Sequence, residues 1–136
     1  MLNETAKSLL TELADFLDTL PPERFDYGHW VGRDWKGAPD LSCGTTACAA
    51  GWATTLPSFR ERGLRLGPKH HMVATKDELG SAAIAQVLGI DVTDARYLFL
   101  PGTGLDPTDD RPSEYATASE VAAHIRRWVA RQEETA

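Results

Sequence analysis

The sequence predicts a mainly α protein, a compact bundle of about five helices with one small β-hairpin. Three observations predict it. Apolar residues recur at steps of three and four within segments that proline and glycine separate. Two Thr-x-x-Glu patterns, Thr75 to Glu78 and Thr117 to Glu120, stand directly before such segments, as a reciprocal helix cap requires. Only residues 63–75 alternate as a strand does, with Gly67-Pro68 at their centre.

The elements follow in order. Leu2, Ala6, Leu9, Leu10, Leu13, Leu17 and Leu20 form the apolar stripe of a first helix. Asn3 is its candidate N-cap. Pro21-Pro22 ends it, because proline disfavours helical geometry in the residue before it. Residues 21–44 read as irregular, rich in proline and glycine and holding Phe25, Tyr27, Trp30 and Trp35. The stretch Cys43 to Ala53 then leads into the central, buried helix: Thr45 or Thr46 caps it, its residues are nearly all small or apolar, and it runs to about Leu56, ending before Pro57.

In residues 63–75 Leu64 and Leu66 alternate with Arg65, and His71, Met72 and Val73 form the return strand. Thr75-Lys76-Asp77-Glu78 opens a helix with Leu79, Ala83, Ile84, Val87 and Leu88 on one face, and Gly89 ends it in a left-handed cap. Thr93 caps a short helix carrying Ala95, Leu98 and Phe99. Residues 101–117 form a long loop with Pro101, Gly102, Gly104, Pro107 and Pro112, of the length usually reserved for function or disorder. Thr117 caps a last helix with Val121, Ile125, Trp128 and Val129 on its apolar side.

The 136 residues suit a single domain over 1–136, its last helix fraying after about residue 132. Apolar residues make up 42% and charged residues 25%, an ordinary globular balance. A chain of this length buries about two-thirds of its unfolded surface and needs no metal or disulfide to fold. No apolar run reaches the roughly eighteen residues of a membrane span, so a membrane is not an expected partner. Met1-Leu2-Asn3-Glu4 lacks a basic region before an apolar core, so no signal peptide is expected and the cytoplasm is the expected location. Cysteines stay reduced there. The net charge of −6 argues against nucleic acid. The basic cluster Arg60, Arg62, Arg65 and Lys69, with Glu61 inside and His70-His71 beside it, reads as solvated surface.

Two cysteines bear on chemistry. Cys43 falls just before the central helix and Cys48 in its first turn, where a helix N-terminus can lower a thiol pKa. Four residues separate them, whereas a redox pair has two. The bland reading is that Cys48 is a small buried side chain and Cys43 fills a loop. A disulfide, thiol chemistry or metal binding are the alternatives. Cys43, Cys48, His29, His70 and His71 are numerous enough for zinc, but adjacent histidines on a strand point to opposite faces. Asp106, Asp109, Asp110 and Glu114 lack the spacing of a calcium loop and read as a solvated acidic turn. His124 reads as a residue at the edge of the last helix's apolar stripe. No nucleophile elbow, phosphate loop, zinc-protease or dinucleotide fingerprint occurs, and no cofactor is expected.

Phe25-Asp26-Tyr27-Gly28-His29-Trp30 followed by Cys43-Gly44-Thr45-Thr46-Ala47-Cys48-Ala49-Ala50-Gly51-Trp52-Ala53 resembles a group of small bacterial and phage proteins. They share Phe-Asp-x-x-x-Trp and then Cys-Gly-Thr-x-x-Cys-x-x-Gly-Trp-Ala. Residues 83–100, with Leu88-Gly89-Ile90 and Ala95-x-x-Leu98-Phe99, are similar too, so the resemblance covers roughly 10–100. It implies a compact helical domain around the Cys-Gly-Thr helix and transfers no catalytic residue.

The expected function is therefore non-catalytic: a protein-interaction or accessory role. Its surface is either the aromatic loop of Tyr27, Trp30 and Trp35 or the loop 101–117, since aromatic side chains anchor interfaces. The alternative is a thiol-dependent or metal-binding protein centred on Cys43 and Cys48. A third reading places a small molecule in a cleft lined by Trp30, Trp52 and the hairpin.

Overall fold

The structure, a computed structural model, describes residues 3–25, 27, 48–67, 72–102, 109–113 and 115–134. It is mainly α with one small hairpin, as the periodicity predicts. Helix α1 spans Glu4–Thr19. Asn3 caps it as expected: its side-chain oxygen accepts the Ala6 amide at 2.7 Å. Ala6, Leu10, Leu13, Ala14 and Leu17 are fully buried, the one-sided stripe that drives the helix onto its neighbours. A 3₁₀ turn at Pro22–Arg24 follows, placed by the two prolines.

The central helix is shorter than its composition suggests. Helix α2 spans Ala49–Ala53, and all five residues are buried. Cys48 has extended backbone and occupies the N-cap position, without a side-chain bond to the helix amides. Thr45 and Thr46, the expected caps, lie outside the described residues. The helix stops at Ala53 because the chain tightens. The hydroxyls of Thr54 and Thr55 donate to the carbonyls of Gly51 and Trp52 at 2.6 and 2.7 Å. Leu56 N–H then turns back to Ala53 O at 3.0 Å. Pro57 restarts the chain as the first residue of α3, Pro57–Glu61. Sequence periodicity misses α3 because Phe59 is its only buried residue.

Strand β1, Arg65–Gly67, pairs antiparallel with β2, Met72–Ala74, with Leu66 opposite Val73. Leu66 and Val73 are both buried, so one face of the hairpin seals the core. The turn between the strands lies outside the described residues.

The next two caps correct the sequence reading. Thr75 does accept the Glu78 amide, at 3.1 Å, but no helix starts there. Its own amide donates to Glu78 O at 2.9 Å, and Leu79 bridges to Ala74. The Thr-x-x-Glu pattern thus closes a turn that folds the chain back beside β2. Leu79 is extended and 46% exposed, not a core residue. Gly80, at φ +60°, turns the chain into α4, Gly80–Leu88. Gly89 ends α4 in the left-handed region, φ +71°, as expected. Helix α5 spans Val92–Phe99, and Asp91, not Thr93, holds the N-cap position. The second Thr-x-x-Glu pattern is a true capping box. Thr117 N–H donates to Glu120 Oε1 at 3.0 Å, and Glu120 N–H donates to Thr117 Oγ1 at 3.1 Å. It opens α6, Ala118–Glu134.

The first and last helices pack along each other. Lys7 pairs with Glu133, while Arg126 pairs with Asp15 and Asp18, so the two run antiparallel. Val121, Ala122 and Ile125 are fully buried on the α6 side. The end of α4 is fastened to this pair and to α3. Asn3 Nδ2 donates to Leu88 O at 3.4 Å, and Arg62 Nε donates to Val87 O at 3.0 Å. A cation and an amide thereby serve carbonyls that the helix end leaves unpaired.

Asn3→Ala removes a cap and a link between helices together, and is expected to lower stability by about 0.5–2 kcal/mol in urea unfolding. Gly89→Ala should cost at least about 1 kcal/mol. An L side chain is strained at that φ, and its Cβ would sit 3.3 Å from Asn3 Nδ2. An unchanged unfolding midpoint for both variants would show that this junction carries no stability.

Candidate functional site

The sequence nominates two places for function, and the structure treats them differently. The first is the aromatic and cysteine region. Tyr27 does not present its ring to a partner: it is 2% exposed, and its hydroxyl donates to Leu98 O at 2.8 Å. Burial, followed by the neighbouring Cys48 and Tyr97, raises its phenol pKa far above the ordinary value, against the opposing charge of Arg111. Tyr27 is a buried strut between the 21–27 segment and the end of α5, and a sequence pattern that marks it as aromatic cannot distinguish the two roles.

Cys48 is also 2% exposed. A helix of five residues offers a small dipole, and the Cys48 side chain does not cap it. The structure brings Tyr27 and Cys48 near each other in the core, where the thiol helps to keep the phenol protonated. Trp30, Trp35 and Cys43 lie outside the described residues, as do His29, His70 and His71. Among the described residues no group of three His, Cys, Asp or Glu side chains gathers to hold a metal.

Of the small-molecule cleft expected from Trp30, Trp52 and the hairpin, Trp30 and the hairpin turn lie outside the described residues, and Trp52 is packed among described neighbours. That ring is 6% exposed. Its Nε1–H donates to Arg24 O at 2.9 Å, the Arg24 guanidinium lies 4.9 Å above it, and Phe16 packs at 6.0 Å. An open depression of about 680 Å³ does lie between α1 and α3, lined by Glu4, Ser8, Glu12, Ser58, Glu61 and Arg62 among others. Its walls mix the charged groups Glu4, Glu12, Glu61 and Arg62 with hydroxyls and Leu9, whereas small-molecule sites are mostly apolar.

The second place is the 101–117 loop, and there the structure adds residues that the sequence reading passed over. Gly102 N–H donates to Pro112 O at 2.8 Å, tying the two ends of the loop together. A Cβ on Gly102 would meet Arg111 O at 3.0 Å and Asp109 Oδ2 at 3.1 Å, so only glycine allows this approach. Asp109 and Arg111 form a two-pronged pair, 2.9 and 2.8 Å. Asp110 accepts the Tyr97 hydroxyl at 2.6 Å, and the same hydroxyl accepts Arg131 Nη2 at 2.7 Å. The Tyr97 bond, seconded by Arg131, holds the Asp110 carboxyl below its usual pKa. These two carboxylates are thus fasteners of the loop rather than a freely solvated turn. Tyr115, beyond them, is 85% exposed.

Behind Tyr97 lies His124. It is 1% exposed rather than at the edge of the apolar stripe. Its Nε2 sits 2.9 Å from Tyr97 O, and the two rings pack with centroids 4.7 Å apart. Burial first, then the positive charges of Arg127 and Arg131, lowers its pKa below the ordinary histidine value, against the carbonyl bond and Asp110. The spacing of His124 from Val121 and Trp128, three and four along the helix, is the sequence signal that places it on the buried face.

No protein-family model, curated protein or solved structure matches this chain.

In a Cys43→Ser variant only the Cys48 thiol remains. Labelling with a disulfide reagent in the native protein is expected to be at least about a hundredfold slower than in urea, because reaction must wait for local opening. Labelling at the denatured rate would show an open and reactive thiol.

Proposed function

We propose that the protein is a non-catalytic interaction or accessory module, and that its docking surface is the described part of the 101–117 loop with Tyr115 as anchor. The observation that carries this reading is the contrast between Tyr115 and its setting. The ring is 85% exposed, while the segment before it is pinned by Asp109–Arg111, by Tyr97–Asp110 and by the Gly102–Pro112 bond. The Tyr115 ring leaves most of its surface open to solvent, and tyrosine is among the residue types that most often anchor an interface. Fixing the backbone around it in advance lowers the entropy cost of binding. Beside it, Ser113 Oγ accepts the Tyr115 N–H at 3.2 Å.

The thiol- or metal-dependent reading centred on Cys43 and Cys48 draws less support, since Cys48 is buried and stands beside the equally buried Tyr27. Of the two surfaces suggested by the sequence, the aromatic one loses Tyr27 to the core, which leaves the loop as the better supported choice.

The test replaces Tyr115 with a photo-crosslinking phenylalanine, with the same residue at Thr11 on α1 as control. A discrete protein adduct from position 115 and not from position 11 is expected. Tyr115→Ala should then weaken the isolated complex about tenfold or more while leaving the unfolding midpoint unchanged. No adduct from position 115, or the same adducts from both positions, would remove this surface.

A further inference from the structure

His124 is a fully buried titratable group that the docking surface does not use. A carbonyl can only accept, so the Nε2 that faces Tyr97 O at 2.9 Å carries a hydrogen, and the ring is the neutral Nε2–H tautomer. The next proton must go to Nδ1. Tyr97 thus has two sides. Its backbone carbonyl and ring rest on the buried imidazole. Its hydroxyl, at the other end, holds Asp110 and meets Arg131.

The charges around the imidazole come from three elements. On α6 itself Arg127 and Arg131 oppose a second proton, and from the loop Asp110 favours it. From α5 Tyr97 contributes the carbonyl bond, and its phenol stays neutral because its own pKa is raised. The α1 carboxylates along α6, Asp15 and Asp18, are engaged by Arg126. Burial and the two arginines set the balance against the imidazolium. Helix α6 has its main packing on α1 and meets α5 over a short stretch only. The α5–α6 contact can therefore open while the α1–α6 pair stays closed.

We propose that His124 is a proton switch: in mildly acid medium its protonation loosens the α5–α6 contact and with it the hold of Arg131, on α6, on Tyr97 and Asp110. This adds regulation to the docking surface and takes its biological sense from that reading. In the open state the imidazole is in water, with a pKa of about 6.5. In the closed state its pKa is lower, so the open state binds the proton more tightly. The contact is at full strength above about pH 6.5 and weakens as pH falls below it. The opening constant therefore rises between pH 7.5 and 5.5, by at most about tenfold.

Hydrogen exchange followed by mass spectrometry, corrected for the intrinsic effect of pH, reads this opening directly. In the full chain, peptides covering α5 and the start of α6 are expected to lose protection on going from pH 7.5 to 5.5, by up to about tenfold, while α4 does not. In His124→Gln, which keeps an N–H for the Tyr97 carbonyl but cannot take a proton, that loss should disappear. Equal responses in both proteins, or an equal loss in α4, would overturn the proposal. The native imidazole can also be titrated by NMR in the unaltered protein. A midpoint at or above about 6.5 would overturn it independently of how the variant folds. Neither measurement needs a partner. A failed switch leaves the cross-link at position 115 intact, and a failed cross-link leaves the exchange result intact.

Discussion

The antiparallel seam between α1 and α6 is the constraint on which the other elements depend. Ala6, Leu10, Leu13, Ala14 and Leu17 on one side, and Val121, Ala122 and Ile125 on the other, are removed from water completely. Each large side chain buried in this way contributes about 1.5–3 kcal/mol, whereas the exposed ion pairs along the seam are screened by water and contribute far less. Lys7–Glu133 and Arg126 with Asp15 and Asp18 therefore act mainly as a register. Once the seam is set, Asn3 at its start meets the end of α4, and the outer face of α6 meets α5. The short helices α2 and α3 and the hairpin then close the core from the other side.

Much of this was legible in the sequence, wherever a local rule acted alone. Asn3, Gly89 and the Thr117–Glu120 box each need only their own neighbours, and each stands where its chemistry puts it; the hairpin is also present, but Gly67, read as part of its turn, pairs with Met72 inside the ladder. The misreadings share a cause. Thr75-x-x-Glu78 has the same letters as the later box, yet Leu79 bridges to Ala74 and Gly80 turns the chain, so the hydroxyl serves a turn. Small residues from Ala49 onward suggest a long helix, but Thr54 and Thr55 claim the carbonyls that would continue it. Propensity is a weak prior that tertiary contacts override.

The functional layer was less legible for the same reason. Tyr27, Tyr97 and Tyr115 are alike as letters. One is a strut to the Leu98 carbonyl, one is a clasp between Asp110 and Arg131, and one stands in water. Asp109 and Asp110 read as solvated acids until Arg111 and Tyr97 are placed beside them. Such roles are set by partners far along the chain, as Tyr27 and Leu98 show at a separation of 71 residues. The result is one linked unit, in which a buried imidazole, a phenol and a pinned loop are joined through Tyr97.

The α1–α6 pairing also bears on how the fold is reached. The Arg126–Asp15 bond joins residues 111 positions apart, a long-range contact that must close a large chain loop before it contributes anything. During synthesis α1 leaves the ribosome early, and its apolar stripe stays uncovered until α6 has followed it. At about 5–20 residues per second, that interval is several seconds. The chain's native contact order thus makes folding late and nearly all at once, with Leu10, Leu13 and Leu17 the surface most exposed to chaperones and to aggregation meanwhile.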